Sequence, residues 1–198
     1  MKFIFTILTF ATLLISCEKD CKLPPDSPKP VPTKPEMEYT DLNFEITKGK
    51  SKQVDINKDG SYDFVFSTLL VGDPLYQHDK IQFFIMGAQY TYFLMGPDET
   101  SPIYNKSEII PISNQGQHTW YDISWEKLAE KIIPETGSFF WNGQWKNVGN
   151  KYFGFQLKKN DKLYNGWIKM SFNTQEEKLI VHGLAISKIA GRDVIAGE

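Results

Sequence analysis

"KYFGFQLKKNDKLYNGWIKMSFNTQEEKLIVHGLAIS", residues 151 to 187, holds three apolar runs separated by polar stretches. The runs KYFGFQL, YNGWIKMSF and EKLIVHGLAI are rich in aromatic and β-branched residues and are bounded by Asn and Asp, the residues a tight turn selects. Three such runs in succession read as neighbouring strands. Working outward, YTDLNFEI, SKQVDI, YDFVFSTLLV, DKIQFFIM, QYTYFLM and SEIIPI repeat the pattern, giving about nine strands from Glu38 onward. One segment departs from it: SWEKLAEKII, residues 124–133, opens on Ser124 as an N-cap and stops before Pro134, which predicts a short helix. The expectation is a mostly-β domain over 38–198, a single antiparallel β-sandwich, jelly-roll-like, with one short helix. Within it Gly154 and Gly166 are expected to relieve crowding between close strands, and Trp167 to fill the core beside them.

The 198 residues suit one domain plus an appendage. A net charge of −2 and a single arginine, Arg192, argue against nucleic acid and against a guanidinium clamp on phosphate. Both cysteines, Cys17 and Cys21, lie outside the predicted domain, which excludes a disulfide framework, a cysteine nucleophile or a zinc-thiolate cluster within it.

Residues 1–16, MKFIFTILTFATLLIS, join Lys2 to an unbroken apolar run that ends on small residues, the pattern of a signal peptide. The following cysteine makes LISC, which resembles the bacterial lipobox. That resemblance implies cleavage before Cys17, acylation of Cys17 and tethering to the membrane by lipid. Residues 17–37 then carry six prolines between Pro24 and Pro35 and read as an extended stalk. Glu18, Lys19 and Asp20 resemble surface-export signals, so the expected location is the outer membrane or cell surface, with a periplasmic-facing anchor as the alternative.

VDINKDGSYDFVF, residues 54–66, sets Asp55, Asn57, Asp59, Ser61 and Asp63 at alternate positions around Gly60. Side-chain oxygens at the first, third, fifth and ninth positions and a backbone carbonyl at the seventh form the oxygen-only donor set that calcium prefers. Glycine at the sixth position permits the sharp turn. Phe66 stands where an EF-hand has its bidentate Glu, and the flanks read as strands, so the expected role of calcium is to brace a hairpin. An acidic turn without metal is the alternative.

No G-x-S-x-G, H-E-x-x-H, P-loop or G-x-G-x-x-G occurs, and His78, His118 and His182 have no partner at diagnostic spacing, so no catalytic residue is assigned. Asp122, Glu126 and Glu135 lie near an aromatic cluster and are the candidate carboxylates for a surface glycoside hydrolase. The cluster itself, Trp120, Tyr121, Trp125, Trp141 and Trp145, is a candidate ligand-binding face, because exposed aromatic rings stack on sugars or anchor protein partners.

The last fifty residues place Tyr152, Gly154 and Phe155, then Gly166, Trp167, Ile168 and Lys169, then Ala185, then Ile195, Ala196 and Gly197. With the loop from Asp55 to Phe64, this resembles secreted and lipoprotein β-domains of Bacteroidetes-type bacteria. Asn165 interrupts that family's Y-G-W and puts the strand's register in question. The resemblance implies fold and export and assigns no reaction. Together these readings predict a lipid-anchored envelope protein that binds glycan or an envelope partner without catalysis, braced by calcium.

Overall fold

The computed structural model describes residues 36–122 and 125–198. The leader and the stalk up to Pro35, with Cys17 and Cys21, lie outside the described residues, as does Ser124. In chain order the strands are β1 (Met37–Ile46), β2 (Ser51–Val54), β3 (Phe64–Asp73), β4 (His78–Gly87), β5 (Thr91–Met95), β6 (Ile103–Tyr104) and β7 (Ile109–Ile110). They continue with β8 (Thr119–Asp122), β9 (Trp125–Pro134), β10 (Phe140–Asn142), β11 (Lys151–Lys159), β12 (Lys162–Asn173), β13 (Lys178–Ser187) and β14 (Val194–Ile195).

The opening stretch folds as its pattern predicts. β11, β12 and β13 form an antiparallel meander at the centre of a seven-stranded sheet ordered β1-β13-β12-β11-β5-β8, with β6 also paired to β11. Asn160 and Asp161 both have positive φ, 49° and 58°, between the paired residues Lys159 and Lys162. This is the two-residue turn whose twist matches a hairpin, and Asn and Asp reach it at low cost. A second sheet runs β10-β9-β4-β3-β2, again all antiparallel.

The two sheets pack face to face around one apolar core. Phe64, Phe66, Phe83, Ile85 and Leu128 from the five-stranded sheet meet Phe93, Phe153, Phe155, Ile168 and Phe172 from the larger one. Edge-to-face ring pairs recur across it, among them Phe64 on Phe155 and Phe83 on Phe172, at 5.0 and 4.9 Å between centroids. The expected mostly-β sandwich is therefore the observed architecture.

One detail corrects the sequence reading. Residues 125–134 form β9, not a helix, paired along its whole length to β4. A register shift opposite Phe83 and Phe84 inserts Leu128 as a bulge, so Leu128 and Ala129 are both buried in succession and the period of two is lost. That interruption leaves a spacing that mimics a helix. Trp167 is buried as expected, and the core it fills is a second apolar cluster apart from the one between the sheets. It packs on the outer face of the larger sheet with Tyr152, Tyr104, Ile110, Val194 and Ala196, beneath the small β7–β14 pair. The central strands of this sheet are thus covered on both faces, which explains their continuous apolar runs.

The glycine reading holds. A Cβ at Gly166 would collide with the Phe155 ring and lie 2.6 Å from the Ala185 carbonyl oxygen. One at Gly154 would meet Ile110 at 2.9 Å and Tyr104 at 3.1 Å. Asn165 keeps the register, paired with Gln156, and its fully buried amide donates to the Ile110 carbonyl at 3.1 Å. Asn165 therefore pins the covering segment to the sheet.

Candidate binding face and acidic loop

The aromatic cluster that is continuous in sequence is distributed by the fold. Trp145 is fully buried in the main core, where its backbone N–H donates to the Leu128 carbonyl at the bulge, 3.0 Å. Trp141 points inward from β10 and packs on Phe83 and Phe172. Trp120 lies against the outer cluster beside Trp167. Tyr121, on the opposite side of β8 from Trp120, is 54% exposed. Trp125 alone of the five tryptophans is more than half exposed, at 53%. The five residues do not share one face.

Trp125 stands on the outer face of the five-stranded sheet. Its cross-strand partner is Met86, and its ring meets Phe84 edge-to-face at 5.8 Å. Ile81, Phe83 and Ile85 point the other way, into the core, so Phe84 and Met86 belong to the solvent face by strand alternation. Farther along the same face the cross-strand row Asn142, Glu130 and Gln82 forms a polar cluster. Glu130 is only 4% exposed and accepts from Lys127 at 2.7 Å, Gln82 at 3.1 Å and Asn142 at 3.4 Å. Burial pushes its pKa up, but the hydrogen bonds from Lys127 and Gln82 outweigh that and hold the carboxyl below its ordinary range. The face thus combines an exposed indole with a charge-assisted network whose members are mutually oriented.

The three candidate carboxylates are separated. Asp122 accepts from the Tyr90 backbone N–H at 2.9 Å, near the end of β4 marked by Gly87. Glu135 follows Pro134, which pairs with His78 at the opposite end of β4. Ten strand residues put these ends about 30 Å apart, against a separation below about 10 Å in a glycosidase pair. Glu126 points into the interior opposite Ile85, is 1% exposed and is sealed from substrate. One of its oxygens accepts from the Ser101 N–H at 3.0 Å, while the other has no partner. Burial, aided by nearby Asp98, pushes its pKa up to about 8 against the hydrogen bonds from Ser101. It is a neutral acid of the core, a role that no sequence motif marked.

The loop 55–63 connects β2 to β3 as a hairpin, closed by the Asp63 N–H on the Val54 carbonyl at 2.8 Å. Asp55 accepts from the N–H groups of Lys58 and Gly60 at 2.7 and 2.9 Å. Asn57 accepts from Asp59 at 2.9 Å, Asp59 from Ser61 at 2.8 Å, and Asp63 from Ile56 at 2.7 Å. Gly60 takes the expected positive φ, 91°. Burial pushes the Asp63 carboxyl up, and the fields of Asp55 and Asp59 push it the same way against hydrogen bonds from Ile56 and Asn57. The donors are all oxygens, and three carboxylates lie close enough to repel, which fits a hard divalent cation. Among the described residues, however, no three His, Cys, Asp or Glu side chains are grouped as an assembled metal site.

His78 lies 3.5 Å from the Asp73 carboxylate at one end of β4. His182 shares a 2.8 Å hydrogen bond with Ser171 on β12, and burial, with a smaller effect from Lys169, holds its pKa below the usual imidazole value. Comparison of the chain with protein-family models, with curated proteins and with solved structures gives no match.

Proposed function

We propose that this protein is a lipid-anchored cell-envelope module, held through Cys17 and the stalk 17–37, whose β-sandwich binds glycan without catalysing a reaction. Calcium held by Asp55, Asn57, Asp59, Asp63 and the Ser61 carbonyl would brace the β2–β3 hairpin; its chemistry is charge neutralisation of the loop. The observation that carries the binding reading is Trp125, half exposed on the open face of the five-stranded sheet. Its indole offers a flat apolar surface for the C–H face of a sugar ring, and its edge-to-face contact with Phe84 restricts its orientation. Gln82, Lys127 and Asn142, farther along the same face, supply hydroxyl-binding groups already fixed around Glu130.

The test is isothermal titration and tryptophan fluorescence of the mature chain against envelope and plant polysaccharides, with Trp125→Ala beside wild type. Saturable binding lost in Trp125→Ala and retained in Asp122→Asn and Glu135→Gln supports the reading. Failure to bind any polysaccharide, with a protein recovered stoichiometrically from detergent-solubilised envelopes through the same face, would replace glycan by an envelope protein. The anchor is tested separately: palmitate labelling should disappear, and the chain should leave the membrane fraction, in Cys17→Ser.

A further inference from the structure

A cleft of about 750 Å³ opens where the loop 55–63, the turn after β4 and the β11–β12 hairpin converge. It uses none of the residues of the Trp125 face. Such a volume lies in the range of small-molecule sites and is large enough for more than one sugar ring. Its walls differ in character. Tyr62 and Tyr90, 42% and 50% exposed, line it with amphipathic rings. Asp59 stands on the loop side, and Lys158, Lys159 and Asn160 stand on the hairpin side.

The hairpin side is cationic, and one of its two lysines is uncommitted. Lys158 is fixed by its backbone N–H on the Tyr90 carbonyl at 2.8 Å, while its ammonium reaches Asp161 at 3.1 Å, a carboxylate whose side chain is 95% exposed. Lys159 makes no ion pair among the described residues. A ligand with one negative charge can take the lysine side. The Asn160 amide, on the same hairpin side of the cleft, can both donate to and accept from sugar hydroxyls. The tyrosine rings add apolar faces for a pyranose ring.

We propose that this cleft binds a sugar carrying a carboxylate, a uronic acid residue, with the carboxylate on Lys159 beside Lys158, the ring against Tyr62 or Tyr90, and hydroxyls toward Asn160. The inference goes beyond the Trp125 face and does not depend on it.

The test titrates the detergent-solubilised mature chain with a galacturonic acid trisaccharide and with the neutral galactose trisaccharide, which differ in carboxylate against hydroxymethyl. The expected result is at least tenfold tighter binding of the acidic trisaccharide. That preference should vanish in Lys159→Ala, persist in Lys159→Arg and persist in Trp125→Ala, with all variants melting like wild type. Equal affinity for the two trisaccharides, or a preference untouched by Lys159→Ala, overturns the proposal. A preference lost in Trp125→Ala but kept in Lys159→Ala also overturns it and moves acidic-sugar binding to the sheet face. Displacement of the trisaccharide by millimolar acetate or sulfate alone would reduce the cleft to a weak anion site and equally refute recognition of a sugar.

Discussion

Replacing Glu126 by Gln should make the protein more stable, and increasingly so as pH rises. Glu126 is 1% exposed, and its pKa is pushed up to about 8 from the ordinary 4.5. Between those values the folded chain keeps a proton that the unfolded chain releases. Stability therefore falls as pH rises from about 4.5 to about 8 and is level beyond, the sign opposite to that of a salt-bridged carboxylate. Each pH unit in that window costs about 1.4 kcal/mol, so the full fall is on the order of 4 to 5 kcal/mol. Opening of the loop from Gly96 to Ser101, whose Pro97, Asp98 and Glu99 are exposed, would admit water to the carboxylate and lower that figure to a few kcal/mol. Glutamine retains an acceptor for the Ser101 N–H and carries no charge to desolvate. Urea unfolding at pH 5, 6, 7 and 8 should give curves for wild type and Glu126→Gln that nearly meet at pH 5 and diverge by a few kcal/mol at pH 8. A difference that stays constant across the series, within about 0.5 kcal/mol, would mean that Glu126 ionises normally and that the buried-acid reasoning is wrong.

Trp145→Ala should cost about 3 to 5 kcal/mol by chemical denaturation, because the ring is fully buried, whereas Trp125→Ala should leave stability within about 1 kcal/mol and affect glycan binding instead. Equal losses would dissolve the distinction between core and face. Gly166→Ala should lower the melting temperature measurably, with an overpacking cost of about 1 to 3 kcal/mol or more, since the new Cβ meets the Phe155 ring and the Ala185 carbonyl; an unchanged melt would contradict the strand packing. Calcium should raise the melting temperature of the mature chain, chelator should reverse the rise, and Asp59→Ala should abolish it; superimposable curves would reduce the loop to an acidic turn.

Much of this architecture is legible in the chain because strand signals are local. The three runs of 151–187, the Asn160-Asp161 turn and the acidic hairpin follow from side-chain period and from residues that tolerate positive φ. The limits of that legibility have physical causes. SWEKLAEKII has a helical spacing by itself, and only pairing with β4, with Leu128 bulged out of register, turns it into a strand. Glu126 and Glu130 sit four residues apart on that strand, and the bulge sends one into the core and the other into an outward network of hydrogen bonds. Their environments are made by Ser101, Gln82 and Asn142, which are distant in sequence. The tryptophan cluster scatters for the same reason: neighbouring residues of a strand face opposite sides, and neighbouring strands enter different sheets.

By itself the sequence determined the strand-rich class, the turn at Gly60, the crowding at Gly154 and Gly166, and the residues of the acidic loop. Only the tertiary structure decided which aromatic ring meets solvent, which carboxylates stand apart, and that loop 55–63 and hairpin 158–160 enclose a common cleft. Period and composition act through bonds along the chain, whereas exposure, desolvation and cleft geometry arise from contacts between segments that only folding brings together.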